Sequence, residues 1–137
     1  MESQYLIPMV VLLVRVLLGV LFLMQGYDKI FRLGINTTAE AASNPVTYRL
    51  FGKGIYKAGI AVSSWMELVA GALLIIGFQH DAALMLLAID MLGAGIVFSM
   101  IKPMWDMQFY FPRLAMLVFL AIIPPGWDIW SLDWMIK

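Results

Sequence analysis

Residues Ile7 to Met24 read IPMVVLLVRVLLGVLFLM. A helix rises 1.5 Å per residue and needs roughly 20 residues to cross ~30 Å of hydrocarbon, so a run of this length reads as a transmembrane span. Arg15 sits near its middle. Thirteen Leu, Ile, Val and Phe residues surround it. Each contributes about −0.3 to −0.6 kcal/mol on the insertion scale, against roughly +2.5 to +3.5 kcal/mol for a central arginine. The span inserts despite its charge. Nothing basic precedes it, and no small-x-small cleavage site follows, so it is expected to be retained rather than removed as a signal peptide.

Three more apolar runs follow, from Ala58 to Phe78, from Ala82 to Ile101, and a shorter one ending at Ile123. Pro124-Pro125 closes the last, because successive prolines remove donors and disfavour helix just before them. Pro112 is either a first-turn residue or a kink in a helix starting near Met104; the kinked reading gives this span sufficient length. The expectation is an all-α integral membrane four-helix bundle forming one domain over residues 1–137. Its spans are at about 7–24, 58–78, 82–101 and 104–123, with a long loop at 28–57 and a short C-terminal interfacial helix. Composition agrees: the chain is 63% hydrophobic with mean hydropathy +0.89, whereas soluble domains are nearer ~45–50% apolar.

A formal net charge of zero leaves no basic field for nucleic acid. Cysteine is absent, which excludes disulfides, thiolate metal sites, iron–sulfur clusters and dithiol relays. Lys29, Arg32, Arg49, Lys53, Lys57 and Lys102 all fall in the first and third loops, and only Lys137 lies on the other side. The positive-inside rule then places both termini outside. On that topology the Asn36-Thr37-Thr38 acceptor is expected to stay unglycosylated in a eukaryotic host.

Within the long loop, helix-permissive stretches near Thr38 to Ala42 and Val46 to Phe51 are broken by Asn44-Pro45, Gly52 and Gly54. Tyr48, Leu50, Phe51, Ile55 and Tyr56 among basic residues suggest a segment on the membrane interface. Lys29 on one side, and Trp127, Trp130 and Trp134 at helical spacing on the other, read as interfacial anchors.

Each span carries one ionisable residue: Arg15, Glu67, Asp90 and Arg113. Counted from the outer span ends, they lie about 12, 16, 12 and 15 Å deep, a common plane. Ionisable groups at that depth are rare and need partners. Arg15, Gly19, Phe22, Gly26 and Lys29 form one stripe on the first helix; Ser63, Glu67 and Gly71 form another, as do Asp90, Gly93 and Val97. Small residues let helices approach closely, so Gly19, Gly26, Gly71 and Gly93 read as packing positions. The expected arrangement pairs Arg15 with Glu67 and Arg113 with Asp90. Such pairs act either as a register device or as a mid-membrane proton or ligand site.

Arg15, Gly19, Gly26 and Lys29 on the first helix, followed by Glu67-Leu68, Gly71 and Gly77 on the second, resemble the DoxX family of small four-helix bacterial membrane proteins. Asp90, Arg113 and the long first loop have no clear counterpart in the family pattern. The resemblance implies a bacterial cytoplasmic-membrane component tied to redox or stress physiology, in some members beside a thiosulfate-to-quinone oxidoreductase.

Other chemistry is thinly represented. His80 is the sole histidine, so a haem with two axial histidines cannot be built from this chain alone. Eleven scattered methionines, among them Met85, Met91, Met100, Met104 and Met107, read as gap-fillers rather than copper ligands. No phosphate loop, nucleophile constellation or metal spacing appears in the sequence. Trp105, Phe109 and Tyr110 are the aromatics around which a quinone pocket would form. The expected role is a non-catalytic auxiliary component of a quinone-linked or oxidative-stress assembly, embedded in lipid beside a membrane protein partner or another copy of itself. The alternative is a small carrier or proton-coupled transporter using the charged cluster.

Overall fold

The computed structural model describes residues 2–101 and 108–137, which are mostly helical with no strand among them. α1 spans Glu2–Tyr27 and continues into a π-helical turn, Asp28–Arg32. Two short helices follow, α2 (Ile35–Ala41) and α3 (Pro45–Phe51), then α4 (Lys53–Ile76), α5 (His80–Ile101) and α6 (Tyr110–Ile122). A 3-10 turn at Pro125–Trp127 leads to α7 (Leu132–Ile136). Among the described residues, three helices are long and apolar enough to cross a membrane: the segment Gln4–Arg32 formed by α1 with its π turn, α4 and α5. The chain is thus a helical membrane bundle of seven described α-helices rather than four.

Several boundaries differ from the sequence expectation for physical reasons. Asn44-Pro45 divides α2 from α3 as expected and also caps the second of them: the Asn44 side chain accepts from Thr47 N at 2.8 Å, while Thr47 Oγ1 accepts from Asn44 N at 3.0 Å. That reciprocal box, with Pro45 at the first helical position, makes a strong N-terminus. Gly52, at φ +76, then turns the chain directly into α4, which begins at Lys53 rather than near Ala58. α6 begins at Tyr110, so Pro112 occupies its first turn and not a kink. The proposed start near Met104 falls outside the described residues, as do Lys102, Trp105 and Met107. At 13 residues α6 is about 20 Å long, short of a full crossing.

α1 and α4 form the most extensive helix pair. They run antiparallel in close register: a Cβ on Gly19 would lie 2.8 Å from Gly71 O, one on Gly26 would lie 2.6 Å from Ser64 O, and one on Gly71 would lie 2.5 Å from Leu23 N. Gly93 is different, with nothing within 4 Å of such an atom. Val11, Leu18, Phe22, Ala70, Leu74, Leu87, Leu117 and Leu120 form the core where α5 and α6 close on this pair. The basic end of the bundle carries the π turn, α2 and α3; the tail end carries the α4–α5 turn and α7.

Candidate functional site

The four mid-span charges do not meet in one cluster. Arg15, only 1% exposed, is engaged at the tail end. Its Nη1 donates to Leu74 O at 2.7 Å and Ile75 O at 3.3 Å, and its Nη2 donates to Trp130 O at 3.1 Å. Its Nε lies 3.3 Å from Asp128 Oδ1. The last carbonyls of a helix lack intrahelical donors and form the negative pole of its dipole, so a buried arginine there completes the C-terminus of α4. Leu74 and Ile75 lie seven and eight residues beyond Glu67, about 10–12 Å along the axis. The common-plane expectation failed because α1 starts at Glu2, projects past the end of α4, and carries Arg15 level with that end.

The same tail closes the start of α5. Asp133 accepts from Gln79 N at 2.9 Å and His80 N at 2.8 Å, and its own N–H donates to Gly77 O at 2.9 Å. Partial burial pushes the Asp133 carboxyl up, but the backbone donors of His80 and Gln79, with the charges of His80 and Lys137, outweigh it and hold it below the usual aspartate range. Trp127, Trp130 and Trp134 are not on one helix: they lie in the 3-10 turn, the following turn and α7.

Glu67 instead pairs with Lys29, whose Nζ is 2.7 Å from both carboxylate oxygens. Lys29 is therefore drawn inward from the interface position the sequence suggested. Its stem lies beyond the Gly26 contact with α4, and its length carries the ammonium back along the helix pair to Glu67. Asp90, 5% exposed, accepts a hydrogen bond from Ser63 Oγ and shares the lining of one small cavity with Glu67 and Lys29. Arg113 does not pair with Asp90. It donates to Gln25 Oε1, with its guanidinium carbon 6.0 Å from the Phe22 ring centroid. Ser63 and Lys29 were legible on the helix stripes; Gln25 was not, because a single neutral amide carries no sequence signal.

Two cavities meet at this second cluster. The larger, about 580 Å³, lies between the basic-end halves of α4 and α5, with Phe51, Ile55, Val62, Ile89 and Phe98 among its mostly apolar lining and Lys29, Ser63 and Asp90 at its polar edge. Gly93 also lines it, which explains why this glycine packs against no helix. The smaller, about 180 Å³, is walled by Glu67, Asp90, Arg113, Phe109 and Tyr110. Tyr110 donates to Met91 O at 2.7 Å and fastens α6 to α5 there. Phe109 and Tyr110 thus stand beside the charged cluster. Among the described residues, no group of three or more histidine, aspartate or glutamate side chains is placed to hold a metal ion.

No curated protein and no solved structure matches the chain. The family model described as DoxX matches residues 10–100, the stretch that runs from α1 through nearly all of α5 and carries Arg15, Lys29, Glu67 and Asp90; the chain belongs to the DoxX family.

Proposed function

We propose that this protein is an auxiliary subunit of a quinone-linked or oxidative-stress assembly in the bacterial cytoplasmic membrane, holding a lipophilic quinone for a membrane partner. The observation that carries the reading is the apolar cavity of about 580 Å³ ending at Lys29, Ser63 and Asp90. Ligand pockets are mostly apolar with a few placed polar groups that fix orientation. A quinone divides the same way, with an isoprenoid tail for the apolar walls and carbonyl oxygens for donors such as Lys29 and, across the smaller cavity, Arg113. Both termini lie outside, with Lys29, Arg32, Arg49, Lys53 and Lys57 on the cytoplasmic side.

The test is binding of a short-tailed quinone to the purified protein in nanodiscs, followed by calorimetry. Saturable binding is expected, and Gly93→Phe, which fills the cavity from an unobstructed position, abolishes it. Absence of wild-type binding, or binding that Gly93→Phe leaves intact, contradicts the reading. The carrier alternative draws on the same charged cluster and requires proton or solute flux by the chain alone in liposomes.

A further inference from the structure

The charge count around Glu67 does not close locally. Lys29 places its ammonium 2.7 Å from both Glu67 oxygens, so one cation is matched to one carboxylate. Asp90 lines the smaller cavity together with that pair and has the Ser63 hydroxyl as its donor. Among the described residues, no lysine, arginine or histidine nitrogen lies within the 4.0 Å ion-pair distance of Asp90. Among the described residues, the other polar groups named here are engaged elsewhere. Arg113 of α6 stands across the smaller cavity and donates to Gln25 of α1. Tyr110 donates to Met91 O, and Tyr56 of α4 donates to Ala42 O of the α2 end. Two adjacent carboxylates in low dielectric with one counter-ion in contact cannot both remain ionised at small cost, and a shared proton is the usual resolution.

We propose that Glu67 and Asp90 hold one exchangeable proton between them, with Lys29 as counter-ion, making a protonation site where the two cavities meet. The proton belongs to the pair and not to one residue. Binding converts a carboxylate to a carboxylic acid, and the site goes from a net negative to a neutral triad. Ser63 and Asp90 line the larger cavity, so exchange proceeds through that space. The inference goes beyond the quinone reading: loss of quinone binding leaves the proton in place, and loss of the proton leaves the apolar cavity intact.

The test is infrared difference spectroscopy of the protonated-carboxyl stretch at neutral pH, comparing wild type with Glu67→Gln, Asp90→Asn, Lys29→Met and Arg113→Gln in nanodiscs. The wild type is expected to show one buried carboxylic acid that shifts in heavy water. Either carboxyl substitution removes the band, because the remaining carboxylate takes Lys29 for itself. Lys29→Met about doubles it, since both carboxyls then require protons by the same charge count. Arg113→Gln leaves it unchanged. Should Glu67→Gln fail to fold, Asp90→Asn and Lys29→Met decide the matter by themselves. No wild-type band, or one that survives Asp90→Asn, overturns the proposal; so does a band that appears only in Arg113→Gln, which makes Arg113 the counter-ion.

Discussion

Arg15 and Glu67 show how differently two buried charges in adjacent helices are used. Arg15 ties three carbonyls and Asp128 together at the tail end, so its loss removes the guanidinium beside a buried carboxylate and its donors to the α4 terminus. Breaking a buried pair typically costs about 3 to 5 kcal/mol. Arg15→Gln is therefore expected to lower thermal stability in detergent strongly, and a melting temperature equal to wild type contradicts the capping role. Asp133 makes a pH prediction. Its carboxyl is held below its ordinary range by the Gln79 and His80 backbone donors. A depressed acid stabilises the fold above its unfolded range, and that contribution is lost as pH falls through the folded value. Melting temperatures of wild type and Asp133→Asn should differ at neutral pH and converge under acid; a gap constant with pH rules this contribution out.

At the level of elements, the α1 stripe of Arg15, Gly19, Phe22, Gly26 and Lys29 was legible in the sequence, because a period of 3.6 residues places all five on one face. What that face meets was not. The partners depend on where α1 begins and on how far it slides along α4, and apolar residues at Glu2–Tyr27 give no signal for either quantity. The same limit hid the tail contacts, since Asp128 and Asp133 lie more than fifty residues from the groups they cap. The break at Asn44-Pro45 was legible for a local reason, because proline suits a first helical turn and not a helix interior; the reciprocal bond with Thr47 that fixes the start of α3 was not. Gly93 looked like a packing glycine because spacing alone cannot tell a helix contact from a cavity wall. Gly71→Leu should cost at least the ~1–3 kcal/mol of overpacking, as Leu23 N would be 2.5 Å from its Cβ, while Gly93→Leu should fold near wild-type stability. Equal melting temperatures for the two variants contradict the assigned register.

The whole molecule divides its polar groups between two ends. The tail end uses Arg15, Asp128 and Asp133 to finish helices and fasten the C-terminal segment. The other polar group, Lys29, Glu67, Asp90 and Ser63, borders the two cavities. The DoxX match covers all four of these cavity residues and Arg15, but ends before Arg113 and the tail. The separation of the two groups is tested most directly by paired double-mutant cycles on thermal stability. Lys29→Glu with Glu67→Lys preserves a touching pair, so the double variant should recover a large part of what each single loses, with a coupling of about 0.5–3 kcal/mol as expected of residues in contact. Arg15→Glu with Glu67→Arg exchanges groups that do not meet, and its losses should add without recovery. Coupling between Arg15 and Glu67, with none between Lys29 and Glu67, would contradict the account.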